Sequence, residues 1–143
     1  MRISRRQMAG LLPALAAAQA PAPQKKAKPV LASKTYKYDE MAVKQNGENN
    51  QRAVFDGKNH SGFGVELHIT ELGPGKAPHA PHRHVNEEAL MLRSGQLDVT
   101  IEGLTTRVPA GSVVYVNSNE MHGWVNPGPE KAQYFVIALG KES

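Results

Sequence analysis

The 143-residue chain is long enough to form one domain around a single buried core. Its 40% hydrophobic and 21% charged residues are ordinary for a globular protein, while 13 glycines and 10 prolines favour short strands joined by turns. The absence of cysteine excludes disulfides, thiolate metal sites and cysteine nucleophiles. The formal charge is +4, but removing residues 1–20 takes away three arginines and leaves 14 basic against 13 acidic side chains. We therefore expect no nucleic-acid partner, because no basic face remains.

The first 33 residues are predicted to lie outside the folded domain. Residues 1–20 begin with basic side chains and continue into an apolar run that is shorter than the roughly 20 residues of a membrane-spanning helix, which is typical of an export signal. The stretch SRRQM at residues 4–8 resembles the twin-arginine export motif; the alternatives are a general secretory signal, an uncleaved anchor and a cytoplasmic protein. Residues 21–33 are rich in proline and lysine and are predicted to be a linker. We expect a domain over residues 34–143 and a periplasmic or secreted protein.

Alternation of apolar and polar residues predicts most of the strands of this domain. Residues 65–70 alternate in this way and end at a Gly-Pro-Gly turn, so they predict a half-buried strand with His68 on its exterior face. Residues 97–101 predict a second strand, which the Glu102-Gly103 turn joins to a short strand over residues 105–108. Further strands are predicted over residues 112–116 and 134–139. Short strands separated by turns, without a helical repeat, predict a single all-β sandwich or barrel.

The stretch PHAPHRHVNEEALMLRSG, at residues 78–95, contains the candidate metal ligands. His82 and His84 lie two residues apart and Glu88 four further on, so all three point to one side of a strand if the connection keeps its register. Two imidazoles and a carboxylate are costly to bury without a partner charge, and a divalent cation satisfies all three. His122 is available as a fourth ligand at the start of a later strand. Such a set of ligands suits Fe, Mn, Co, Ni, Cu or Zn. His79 lies three residues before His82 and would point to the other side of the strand, so it is interpreted as a solvated loop residue.

Two groups of residues resemble the sequence motifs of the cupin family. The residues that carry the first motif are Gly75, His82, His84, Glu88 and Gly95, and those that carry the second are Gly103, Pro109, Gly111, His122 and Asn126. The sequence departs from the family pattern by one extra residue before His82 and by Asn117, which stands where a proline often precedes the second-motif histidine. The resemblance covers about residues 60–140. It implies a double-stranded β-helix, or jelly-roll barrel, a metal held by His82, His84, Glu88 and His122, and commonly a homodimer.

Two functions are compatible with this resemblance. The first is a metal-dependent enzyme that acts on a small chelating or oxygen-rich substrate, with a dioxygenase-like oxidoreductase expected first and an isomerase, epimerase or lyase next. Fe, Mn or Ni is favoured, with Zn, Co or Cu as alternatives, and export in the folded state would favour Fe or Mn. Glu88 is the candidate catalytic base as well as a ligand. The second function is a non-catalytic small-molecule or metal-binding module, because the sequence offers no obvious acid–base pair outside the ligands.

Overall fold

The structure, a computed structural model, describes residues 27–140. The predicted export signal, and residues 21–26 of the predicted linker, lie outside this range. Within it the chain forms one 3-10 turn, Tyr38–Glu40, and nine strands. The strands are β1 (Lys44–Asn46), β2 (Asn49–Lys58), β3 (Gly64–Leu72), β4 (Glu87–Ser94), β5 (Gln96–Ile101), β6 (Leu104–Pro109), β7 (Val113–Val116), β8 (His122–Val125) and β9 (Ala132–Gly140). No helix of residues 27–140 is long and apolar enough to cross a membrane.

The strands form two antiparallel sheets. The large sheet has six strands in the order β1-β2-β3-β9-β4-β7, and the small sheet has three in the order β6-β5-β8. Strands that are far apart in sequence lie side by side in the large sheet. For example, β3 pairs with β9 along its whole length, from Gly64 opposite Gly140 to Leu72 opposite Ala132. The all-β jelly-roll fold predicted from the sequence is therefore confirmed.

The inward faces of the two sheets enclose one hydrophobic core. Its members that are at most 5% exposed are Leu72, Leu90, Leu92, Val116, Ala132, Tyr134 and Val136 of the large sheet and Leu97, Val99 and Trp124 of the small sheet. Full burial of a large apolar side chain contributes about 1.5–3 kcal/mol. This core is therefore the main favourable contribution to folding and fixes how the two sheets face each other.

The turn between β5 and β6 forms as the sequence predicts. Glu102 and Gly103 have φ values of 47° and 82°, the left-handed values that a type I′ hairpin turn requires at both central positions. The hairpin pairs Ile101 with Leu104, and on its other side Ile101 pairs with His122, the first residue of β8. The hairpin thus sets the position of the candidate ligand His122.

Cross-strand register identifies the inward residues of the large sheet. Directly opposite residues of an antiparallel ladder point to the same face. His68 on β3 lies opposite Val136 on β9, which is 1% exposed and part of the core. The side chain of His68 therefore points inward, and the prediction of an exterior His68 is wrong. The predicted alternation of side chains along β3 was correct, but the inner and outer faces were exchanged. Ile69 lies on the outer face and is nevertheless only 3% exposed, so the apolar residues did not mark the inner face.

The segment before β1 is attached to the outside of the large sheet. Pro29 and Leu31, within the range predicted to be a linker, form main-chain hydrogen bonds of 2.8 Å with Lys58. The Tyr38 hydroxyl donates a hydrogen bond to Glu71 on the outer face of β3, and the Arg52 guanidinium lies 4.2 Å from the Tyr38 ring centroid. These contacts hold residues 29–38 against the barrel.

Candidate metal centre

His82 and His122 are placed side by side by main-chain hydrogen bonds. The amide of His82 donates to the carbonyl of His122 at 3.0 Å, and the amide of His122 donates to the carbonyl of His82 at 2.9 Å. The pair forms an isolated antiparallel bridge at the edge of the small sheet. Because paired residues point the same way, both imidazoles project into the barrel, with ring centroids 4.8 Å apart.

Between His82 and Glu88 the chain crosses from the small sheet to the large one. Glu88 lies in β4, opposite Ala138 of β9, and shares the inward face of that strand with Leu90, as predicted. His82 and His84 precede β4 and are separated from it by a bend at residues 85–86. The prediction that these three residues converge is supported by the geometry. The reason given for it, a common parity along one strand, is wrong, because the ligands approach from two sheets.

All four residues singled out in the sequence lie at one point inside the barrel. One ring nitrogen from each of His82, His84 and His122 lies within 4.8 Å of the others. The Glu88 carboxylate contributes Oε1 at 3.2 Å from Nε2 of His84 and Oε2 at 3.6 Å from Nε2 of His122. The His122 side chain is 1% exposed and that of Glu88 13%, so these polar groups are withdrawn from water.

The hydrogen bonds of the histidines show which ring atoms face the centre. Nδ1 of His84 donates to the carbonyl of Asn86 at 2.8 Å, and Nδ1 of His122 donates to the carbonyl of Glu120 at 2.9 Å. A carbonyl oxygen only accepts, so each Nδ1 carries a hydrogen and Nε2 is the ring atom that faces the centre. A backbone carbonyl bound to the outer nitrogen is typical of metal-binding histidines.

The centre contains acceptors that lack donors. Nε2 of His122 and Oε2 of Glu88 are buried and have no hydrogen-bond partner within residues 27–140. Burial, and then the positive charges of His79, His122 and His84, lower the pKa of His82, which favours the neutral imidazole that binds metals. Acceptors that face one another in a dry site need a cation between them. The donor set of three imidazoles and one carboxylate therefore fits a divalent transition metal.

Two aromatic residues form the floor of the centre. The Trp124 ring stacks on His122 at a centroid distance of 5.9 Å and an interplanar angle of 25°. Its Nε1 donates a 2.8 Å hydrogen bond to the hydroxyl of Tyr134, and burial raises the pKa of that hydroxyl. Both rings belong to the core, so they support His122 from behind rather than lining an entrance.

His79 lies closer to the centre than its sequence parity suggested. Its side chain is exposed, as expected of a loop residue, but its ring centroid lies 4.3 Å from that of His82 and 6.2 Å from that of Trp124. A cavity of about 230 Å³ opens beside it and extends to Thr70 and Lys44 on the inner face of the large sheet. The sequence carried no signal for this contact, which arises from the path of the loop before His82.

A jelly-roll barrel with three histidines and one glutamate converging in its interior is the architecture of the cupins. The sequence matches the Cupin_2 family, a cupin domain, over residues 68–138, a range that contains all four candidate ligands. This match, together with the jelly-roll fold, supports a single cupin-type domain.

The chain is also similar to a curated enzyme. It is 33% identical to dimethylsulfoniopropionate lyase DddW of Ruegeria pomeroyi over 88 residues, which cover 62% of this chain and 57% of the lyase. The match thus spans little more than half of the length of that enzyme.

Solved structures with the same fold confirm the architecture. An RmlC-like cupin from Shewanella frigidimarina has a TM-score of 0.65 at 15% identity, and the alignment covers 78% of this chain and 95% of that one. KdgF from Halomonas has a TM-score of 0.64 at 16% identity, with 75% and 94% covered. A double-stranded β-helix protein from Klebsiella pneumoniae has a TM-score of 0.64 at 21% identity, with 78% and 88% covered. At these identities the likeness concerns the fold alone.

Proposed function

We propose that the chain is a metal-dependent enzyme in which His82, His84, Glu88 and His122 hold a divalent transition metal. The observation that carries this proposal is the contact between Nε2 of His122 and Oε2 of Glu88, two buried atoms 3.6 Å apart for which residues 27–140 supply no hydrogen-bond partner. A cation between them would offset the cost of burying both. Fe, Mn or Ni is favoured, and the same donors accept Zn, Co or Cu.

The reaction to test first is an elimination on a small carboxylate. The support is the 33% identity to a curated lyase over 88 residues. When bound, a metal of this kind acts as a Lewis acid toward a carboxylate oxygen and makes the adjacent C–H bond more acidic. With dimethylsulfoniopropionate, a base takes the proton from that carbon, its electron pair forms a carbon–carbon double bond, and the C–S bond breaks. Dimethyl sulfide leaves with the electron pair of that bond, and the other product is acrylate.

Glu88 is our candidate for the base of this step. Its carboxylate is 13% exposed and has two oxygens, of which Oε1 contacts His84 and Oε2 contacts His122. One oxygen can therefore remain in the ligand set while the other accepts a proton from a substrate above it. Glu88→Gln removes the negative charge, whereas Glu88→Asp keeps the charge on a side chain that is shorter by one methylene. The two variants therefore separate the role of Glu88 as a ligand from its role as a base.

A dioxygenase-like oxidation, the first expectation from the sequence, is the second candidate. Three imidazoles and one carboxylate leave positions free for a chelating substrate and for oxygen. Oxygen uptake with diketones, catechols and flavonols distinguishes this reaction from elimination, which consumes no oxygen. Bound metal without turnover of any of these substrates would instead identify a non-catalytic binding module.

The deciding experiment is elemental analysis of the purified full chain. We expect about one metal ion per chain in the wild type and loss of it in His82→Ala and His122→Ala. His60→Ala is the matched control, because His60 is exposed and lies outside the centre. Protein loaded in turn with Fe, Mn, Ni and Zn is then assayed for dimethyl sulfide release and for oxygen uptake. A wild-type protein that binds none of these metals would refute the proposal.

Export and dimerisation complete the proposed function. Residues 1–20 direct the chain to the periplasm by the twin-arginine route. Replacing Arg5 and Arg6 by lysine tests this route, because it should abolish the periplasmic protein. Native periplasmic protein should contain Fe or Mn.

Dimerisation with a second copy is supported by Val113 and Tyr115 on the edge strand β7, which are 68% and 55% exposed and pair with Met91 and Ala89. Sedimentation should show a dimer that Val113→Lys converts to a monomer.

A further inference from the structure

A polar cavity of about 230 Å³ lies between the inner face of β1–β3 and the loop that precedes His82. The register of the large sheet explains one of its walls. Lys44 of β1 lies opposite Gln51 of β2, Gln51 lies opposite Thr70 of β3, and Thr70 lies opposite the core residue Tyr134 of β9. Opposite residues share a face, so this row of polar side chains points to the same side of the sheet as the core.

The opposite wall of the cavity belongs to the loop and includes His79. Asn49 of β2 ties this loop to the sheet: its Nδ2 donates a 3.1 Å hydrogen bond to the carbonyl of Ala77, and its Oδ1 accepts one of 3.2 Å from the amide of Gly73. The His79 ring lies edge-on to that of His82, with centroids 4.3 Å apart. The loop is therefore held against the sheet, and His79 stands between the cavity and the metal centre.

The lining of the cavity carries a positive charge that is not compensated. The described residues that line it include one cation, Lys44, and no Asp or Glu, and the Lys44 ammonium forms no ion pair with any of residues 27–140. The side chains of Asn46, Gln51 and Thr70, which also line it, are two amides and a hydroxyl, and each of them can both donate and accept hydrogen bonds. An ammonium matches a carboxylate, and groups with both hydrogen-bonding roles match hydroxyl groups.

We propose that this cavity binds a short hydroxylated carboxylate, with its carboxylate against Lys44 and its hydroxyl groups against Gln51 and Thr70. At about 30 Å³ for each water-sized group, the volume of about 230 Å³ holds roughly eight non-hydrogen atoms, the size of a three- or four-carbon sugar acid. The inference goes beyond the proposed function, because it assigns a ligand class to a cavity that none of the four candidate metal ligands lines. Lys44 recognises the charge of the ligand and Gln51 its hydroxyl groups.

Three four-carbon probes separate the contributions of charge and hydroxyl groups. Threonate carries both, threitol carries the hydroxyl groups without the charge, and butanoate carries the charge without the hydroxyl groups. Each probe is titrated into the zinc-loaded full chain, and the amide signals of Gln51 and Thr70 are followed by NMR spectroscopy. Because the Lys44 side chain is exposed, we expect threonate to bind only about three- to fivefold more tightly than threitol. Threonate should also bind more tightly than butanoate.

Two variants and a matched control connect these preferences to the cavity. Lys44→Met keeps the length of the side chain but removes its charge, so it should abolish the preference for threonate over threitol. Gln51→Leu should reduce the preference for threonate over butanoate. Lys34→Met should change neither preference, because Lys34 is an exposed lysine that lies over the Tyr36 ring, outside the cavity. Lys44 and Gln51 are exposed, so both variants should fold as the wild type does.

Each outcome of these titrations has a definite meaning. Equal affinity of the wild type for threonate and threitol, or for threonate and butanoate, would overturn the inference, and so would amide signals of Gln51 and Thr70 that no probe shifts. A preference for threonate over threitol that persists in Lys44→Met would also overturn it, because the carboxylate would then bind elsewhere, as at the zinc ion. The zinc content of each protein is measured independently of these affinities, so failure of the inference is distinguishable from failure of the proposed metal-dependent function.

Discussion

His82 and His122 exchange both of their main-chain hydrogen bonds, at 3.0 and 2.9 Å, and their imidazole rings lie side by side with centroids 4.8 Å apart. Glu88 reaches the same point from the other sheet, 3.6 Å from Nε2 of His122. An ion held by these groups links the two sheets directly, in addition to the hydrophobic core between them. The stability of the barrel should therefore depend on the ion.

Metal binding is expected to stabilise the folded chain. At a free metal concentration of 100 times the Kd, the free energy of unfolding rises by about 2.7 kcal/mol, because the folded state alone contains the preformed site. For a domain of this size the melting temperature should rise by roughly 10 °C. Calorimetry of chelator-treated and zinc-loaded protein measures the shift, which His122→Ala should abolish and His60→Ala should preserve. An unchanged melting temperature in a demonstrably metal-loaded protein would contradict the prediction.

Trp124 should report metal binding directly. It is the one tryptophan in the sequence, and its ring stacks on His122 at 5.9 Å. Redox-active or paramagnetic ions such as Cu, Co and Ni, when held by His122, should quench the neighbouring indole, whereas Zn should not. Fluorescence titration should therefore show saturable quenching by Co or Ni that excess Zn reverses by competition. Quenching that is equally strong in His82→Ala would show that the ion binds elsewhere.

Gly95 is expected to be far less replaceable than Gly111. Both residues have positive φ, 78° and 87°, so replacing either one by alanine should cost a similar backbone free energy of about 1 kcal/mol. At Gly95 a Cβ would lie 2.7 Å from the main-chain atoms of Lys131 and Ala132, whereas at Gly111 nothing lies within 4 Å. Gly95→Ala should therefore lower the free energy of unfolding by about 1–3 kcal/mol more than Gly111→Ala. Urea unfolding of the two variants measures the difference, and equal losses would refute this account.

Glu71 is expected to contribute to stability at neutral pH and to lose that contribution in acid. The hydrogen bond from the Tyr38 hydroxyl is the largest cause of the lowered pKa of Glu71, with burial opposing it and Gln133, Asn50 and Arg52 assisting. A carboxylate whose folded-state pKa is depressed stabilises the fold above its unfolded pKa of about 4.3, and this contribution is lost as the pH falls through the folded value.

Glu71→Gln tests this linkage. The variant should lose about 1–3 kcal/mol at pH 7 and should show a shallower decline in stability than the wild type below about pH 4.5. Tyr38→Phe should also make the decline shallower, since it removes the main cause of the shift. Asp39→Asn, which changes an exposed carboxylate outside the cluster, should follow the wild-type curve. Parallel acid curves for Glu71→Gln and the wild type would contradict the assignment.

The strands that border the core were predictable, and those at the barrel mouth were not. Residues 97–101 alternate cleanly because one face meets the core and the other meets water. β1 and β2 are exposed or half-buried along almost all of their length and carry few apolar residues, and periodicity therefore gave no signal there. His68 was misplaced because an inward residue can be polar, so polarity alone did not identify the outer face. The ligands were found from motif spacing, but their approach from two sheets depends on the path of the chain after His82, which spacing does not encode.

The inner face of the large sheet is divided across its width. Over β9 and β4 it carries Tyr134, Val136 and Leu90 of the core, and along β3 it changes from Leu72, also in the core, to the polar residues His68 and Glu66. Glu66 and His68 lie outside the hydrophobic core, so substitutions at these two positions should affect folding little. This part of the inner face can therefore vary in sequence among descendants of the barrel, while the apolar part preserves a common scaffold.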